Sequence, residues 1–63
     1  MKYAEAIKTL RQKMLITQTE LANLLGVSFV SVNRWENGVF EPTMKIKREL
    51  APLLAKYGIS LGE

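Results

Sequence analysis

The sequence predicts an all-α fold, a compact bundle of four or five helices, and three observations carry that expectation. Apolar residues recur at three- and four-residue steps near both ends of the chain. Between those stretches, capping residues and a glycine mark out two short helices joined by a tight turn. No internal repeat, low-complexity tract or flexible linker interrupts the pattern, so the 63 residues are read as one domain spanning 1–63.

The first helix has an inner stripe of Tyr3, Ile7, Leu10 and Met14, with Lys2, Glu5, Lys8 and Gln12 on or near the wet side. Thr17 followed by Glu20 reads as a capping box, in which each side chain serves the other residue's amide, so a second helix starts at Gln18. Leu21, Leu24 and Leu25 give that helix its apolar spacing. Gly26 then ends it, because glycine enters the left-handed conformation without a Cβ penalty, and Gly26-Val27 forms the turn. Ser28 caps a third helix whose Val32 and Trp35 face inward, and Ala22 is small enough to let the two backbones approach.

Beyond Gly38, Val39 to Pro42 reads as a loop and Thr43 as the cap of a last helical region, with Ile46, Leu50, Leu53 and Tyr57 as its stripe. Pro52 falls inside that stretch, where it forfeits a backbone hydrogen bond at about 3 kcal/mol. Either a kink or a break near Ala51, followed by a short fifth helix, is expected. Gly58 should end the helix and let Ile59 fold back onto Leu54.

Composition narrows the function. Nine Lys and Arg against six Asp and Glu give a net charge of +3, which favours an anionic partner. Without cysteine there is no disulfide staple and no thiolate metal site; the lack of a charged start followed by an apolar h-region argues against secretion, and no apolar run approaches membrane-spanning length. A cytoplasmic protein is the expectation, with no membrane partner. Catalysis finds no support: His and Cys are missing, and Glu5, Glu41, Glu49 and Glu63 are scattered without metal-ligand spacing. The chain is read as non-enzymatic, with no catalytic residues, no metal and no cofactor.

The two central helices, residues 18–36, form the pattern of a helix-turn-helix, which predicts DNA binding. The face of the third helix left exposed by Val32 and Trp35 carries Phe29, Val30, Asn33, Arg34 and Asn37 as one continuous ridge. Such a ridge suits the major groove, with Phe29, Val30, Asn33 and Arg34 as base contacts: Arg34 pairs with guanine, Asn33 with adenine, and the apolar pair meets thymine methyls. Phosphates are expected on the amides at Gln18 and Thr19, where a helix N-terminus favours an anion, with Ser28 in the same set and Lys45 adding charge.

In Gln18, Glu20-Leu21-Ala22, Leu25-Gly26-Val27-Ser28 and Trp35-Glu36-Asn37-Gly38 the chain resembles the Cro and phage-repressor (XRE) family of helix-turn-helix proteins, over roughly residues 3 to 58. The resemblance implies the compact phage-repressor bundle. It also implies that Gln18 touches the DNA backbone and buttresses the first recognition residue, and that Ser31 and Asn37 contact phosphate. Arg11 and Glu36 match a structural ion pair between the first helix and the end of the third. The Val39 to Glu41 loop departs from the family pattern, having no Lys or Arg and a Glu41 that would repel phosphate.

The leading expectation is sequence-specific binding of double-stranded DNA by a repressor-like transcriptional regulator. A homodimer would place two recognition helices about 34 Å apart on a palindromic site, with Val39, Phe40, Ile59 and Leu61 either spare apolar residues for its surface or residues that finish the core. The alternatives are a protein-interaction module such as an antitoxin, in which Phe29 and Val30 meet a protein partner, or the DNA-targeting head of a larger protein.

Overall fold

The computed structural model describes residues 2–61, and among them the regular structure is four helices: α1 (Lys2–Met14), α2 (Gln18–Leu25), α3 (Phe29–Glu36) and α4 (Met44–Lys56). α2 and α3 cross closely, while α1 packs on α3 and α4. The apolar core between them comprises Ala6, Ile7 and Leu10 from α1, Leu21, Ala22 and Leu25 from α2, Val32 and Trp35 from α3, and Ile46, Leu50 and Leu54 from α4. Tyr3, Met14, Leu53 and Tyr57 flank this core half-buried, as do Ile59 and Leu61, which complete it rather than standing spare on the surface.

Local chemistry sets the helix ends. The Glu20 amide donates to Thr17 Oγ1 at 3.1 Å and the Thr17 amide to Glu20 Oε1 at 2.8 Å, closing the capping box at α2. Ser28 Oγ accepts from the Ser31 amide at 3.2 Å and so starts α3. Thr43 occupies the cap position of α4 but its hydroxyl makes no capping bond, so the start of that helix rests on its backbone and its packing. All four helices finish with the same paired backbone bonds, the Schellman pattern. At α2 these are Val27 N–H to Ala22 C=O at 2.9 Å and Gly26 N–H to Asn23 C=O at 3.3 Å. A Cβ on Gly26 would meet nothing within 4 Å, so its φ of +71° is what requires glycine there. Gly38 and Gly58 take the same place after α3 and α4, whereas α1 ends on Leu15, a non-glycine at φ +59° whose side chain is 89% exposed.

Three expectations are corrected by the tertiary structure. Of the two outcomes expected at Pro52, the break is the one corrected: α4 runs through Pro52 as one helix, and no fifth helix follows among the described residues. The reason is that Ile46, Leu50 and Leu54 keep one buried face in register, while Pro52 and Arg48, whose carbonyl loses its partner, are exposed and can be served by water. Leu24 is not part of the core: it is 56% exposed, because it lies about 110° around α2 from the centre of the Leu21, Ala22 and Leu25 face. Ala6 and Leu54 belong to the inner stripes of α1 and α4, each spaced from buried neighbours by helical steps.

Candidate nucleic-acid interface

Crossing α2 over α3 leaves one side of α3 outside the core. Phe29 and Val30 are each 47% exposed at its start, Arg34 and Asn37 are exposed further along, and Asn33 is half-buried between them. The five thus form a ridge on a helix whose opposite face is locked by Val32 and Trp35. An exposed apolar pair at a helix start, followed by an amide and a guanidinium, offers methyl contacts, a donor-acceptor pair and a fork of donors to a groove.

Behind the ridge a chain of polar side chains is anchored on a buried carboxylate. Glu36 is the one buried charged residue among those described, with its side chain 2% exposed. Arg11 grips it at both oxygens, Nε to Oε2 at 2.7 Å and Nη2 to Oε1 at 3.0 Å, and spends Nη1 on the Ile16 carbonyl. Gln18 Nε2 donates to Glu36 Oε1 at 3.0 Å, Asn33 Nδ2 donates to Gln18 Oε1 at 3.3 Å, and Asn37 Nδ2 donates to Asn33 Oδ1 at 3.1 Å. The chain therefore runs from α1 through α2 to the exposed face of α3. Burial opposes the Glu36 charge, yet the hydrogen bonds from Arg11 and Gln18 and the charges of Arg11 and Lys8 outweigh it and hold the carboxyl below its ordinary range. Within the protein Gln18 accepts a hydrogen bond from Asn33, in the middle of α3.

The other expected phosphate ligands lie on α2, at the start of α3 and on α4. Thr19 is exposed in the first turn of α2. Ser28 Oγ is already engaged as the α3 cap and lies 3.3 Å from Ser31 Oγ, so the two hydroxyls share a bond. Lys45 is exposed in the first turn of α4 and no hydrogen bond or ion pair among the described residues ties it to α3. In the loop between α3 and α4, Glu41 pairs with Lys47 at 3.0 Å, which offsets the repulsion its charge would exert on a phosphate. Lys47 also lies 4.9 Å from the Tyr3 ring centre, and its bond to Glu41 raises its pKa. Phe40 turns back over Arg34, with the guanidinium carbon 5.9 Å from the ring centre. Sequence spacing gives no sign of either loop contact, because both cross from an irregular segment to a helix.

The arrangement defines a helix-turn-helix. A family model described as helix-turn-helix matches residues 7–63, and the chain belongs to that family, of the Cro and phage-repressor (XRE) type. It is accordingly a DNA-binding helix-turn-helix protein. Comparisons with curated proteins and with solved structures each give no match. No described helix is long and apolar enough to cross a membrane.

Proposed function

We propose that the chain, as one domain, reads a specific double-stranded DNA sequence by laying α3 in the major groove, and that it acts as a repressor-like transcriptional regulator. The observation that carries this reading is the ridge of exposed Phe29, Val30 and Arg34 with half-buried Asn33 on α3, continued by exposed Asn37 at its C-terminal cap, on a short helix fixed from behind by Trp35 and the Glu36 chain. Rigid support matters because base discrimination is lost when reading groups wander. Arg34 is the guanine reader, and Phe29 and Val30 take thymine methyls. Phosphates fall to the amides of Gln18 and Thr19, to Ser28, Ser31 and Asn37, and to Lys45. Three carboxylates near the motif are all engaged inside the protein: Glu20 in its cap, Glu36 with Arg11 and Glu41 with Lys47. That engagement limits their repulsion of DNA. Two copies paired about a two-fold axis would take a palindromic site with half-sites one helical turn apart.

Selection from a random duplex library followed by a salt titration tests the reading. One enriched sequence, with affinity falling linearly in log salt, is expected. Retention of no sequence above background would overturn it.

The exposed Phe29, Val30, Val39 and Phe40 favour a second reading, in which this surface holds a protein, as in the antitoxin expectation. Binding on that surface would respond little to salt.

A further inference from the structure

An arginine on an exposed helix face has many rotamers, and a base contact must first restrict it to one. Arg34 is such a side chain: it is exposed, and no hydrogen bond or ion pair among the described residues ties down its guanidinium. One contact engages it. The guanidinium carbon stands over the Phe40 ring, 5.9 Å from the ring centre. The loop that carries Phe40 is fastened on both sides. The Val39 amide donates to the carbonyl of Arg34 itself at 3.0 Å, Pro42 is buried, and Glu41 is paired to Lys47 on α4. The ring is thus tied through the backbone to the residue whose side chain it meets.

The contact restrains Arg34 without spending what a base needs. A ring face carries the negative part of its quadrupole and attracts a cation that stands over it. No oxygen or nitrogen acceptor is involved, so none of the five guanidinium N–H donors is committed within the protein. Guanine shows two acceptors on its major-groove edge, N7 and O6, and takes two of those donors. A carboxylate in the ring's place would hold the guanidinium too, but it would occupy the same donors and repel phosphate. The Val39 to Glu41 segment has no Lys or Arg to meet a phosphate, and what it presents beside the reading helix is the exposed apolar pair Val39 and Phe40.

We propose that Phe40 is a specificity-determining positioning residue, whose ring holds Arg34 on the reading face of α3 and so strengthens its choice of guanine. The inference rests on the reading of α3 as the base-contacting helix with Arg34 on guanine. It separates two roles for an exposed ring in this loop. Packing against the domain or against the DNA backbone scales the affinity for every sequence alike, whereas the positioning role changes the preference at one base position only.

The experiment uses the full chain in four forms: the native sequence, Arg34→Ala, Phe40→Leu and Phe40→Tyr. Leucine keeps apolar bulk but has no ring face, and tyrosine keeps the face. Because the native ring is 47% exposed, both variants are expected to fold. Library selection with the native chain and Arg34→Ala identifies the base position that Arg34 reads. Competition binding with duplexes that differ only there should show the guanine preference falling about two- to fivefold in Phe40→Leu, the range of an exposed cation–π contact. Phe40→Tyr should keep the native preference, and preferences at other positions should stay in both. In NMR spectra of the free protein, the Arg34 Nε–H and Cδ–H resonances should lose their ring-current shift in Phe40→Leu and retain it in Phe40→Tyr. An intact guanine preference in Phe40→Leu, with or without uniformly weaker binding, overturns the inference and leaves Arg34 as a reader. An equal loss in Phe40→Tyr and Phe40→Leu overturns it as well. If Arg34→Ala selects the same sequence as the native chain, or the native chain enriches none, the reading of α3 fails and the inference with it.

Discussion

Removing Arg11 should cost this protein more than removing any comparable surface charge. The guanidinium makes two bonds to a carboxylate whose side chain is 2% exposed, and after Arg11→Ala that carboxylate keeps only the Gln18 amide. Stranding a buried charge costs about 3–5 kcal/mol, against about 1 or less for an exposed pair. A chain of 63 residues holds roughly 3–9 kcal/mol in total at about 0.05–0.15 per residue, so the variant should sit near the edge of folding. Glu36→Ala should cost less, because Arg11, with its side chain 20% exposed, can turn toward water. Urea unfolding read by the fluorescence of Trp35, the single tryptophan and 4% exposed, measures both variants.

The pH dependence supplies an independent sign. In the native chain the Glu36 carboxyl titrates below its ordinary range, so its contribution is full above the unfolded-state value and is lost as pH falls through the lowered folded-state value. With Arg11 gone, burial becomes the dominant influence and pushes the carboxyl up. The variant should then be destabilised above the ordinary carboxylate range and recover relative to the native chain as the solution is acidified. A loss under about 1 kcal/mol for Arg11→Ala at neutral pH, or a pH profile parallel to that of the native chain, would refute the reasoning.

Four further variants have expected outcomes. Leu15→Gly should raise stability by about 0.5–1 kcal/mol, since a left-handed φ of +59° penalises leucine and the exposed side chain contributes no burial; a drop in the thermal midpoint would contradict this. Pro52→Ala should raise stability by about 1–3 kcal/mol by restoring the amide bond to the Arg48 carbonyl and relieving ring crowding, checked by thermal unfolding and expected to leave helix content unchanged. Arg34→Ala should lose about 1–3 kcal/mol of binding and relax one base position, whereas Lys45→Ala should weaken all sequences alike and lower the salt slope by about one unit, both measured by competition binding. If Arg34→Ala retains its preferred site unchanged, the groove reading is wrong.

Both ends of α2, the start of α3 and the end of α4 were legible because capping and turn chemistry acts over five residues or fewer. Thr17 with Glu20, Ser28, Gly26 and Gly58 each satisfy backbone groups close along the chain, so residue type and spacing suffice. The α3 ridge was legible for a similar reason, since helical periodicity divides Val32 and Trp35 from Phe29, Val30, Asn33, Arg34 and Asn37. Spacing could not show that Leu24 points outward, because an apolar residue three steps from one buried neighbour still falls outside the face when the others lie on the opposite side. Leu15 in place of a glycine likewise gives no local signal of a left-handed residue.

What the sequence determined by itself was therefore the all-α class, the positions of the first three helices, the turn at Gly26 and the residues facing outward on the third, all consequences of short-range chemistry. Tertiary packing decided that α4 continues through Pro52, because a buried face of Ile46, Leu50 and Leu54 outweighs one lost exposed hydrogen bond. It also decided which way the Gln18 and Asn33 amides point. That direction comes from Glu36, 18 and 3 residues away along the chain, and a buried carboxylate can dictate it only once folding has brought the three side chains within hydrogen-bond reach.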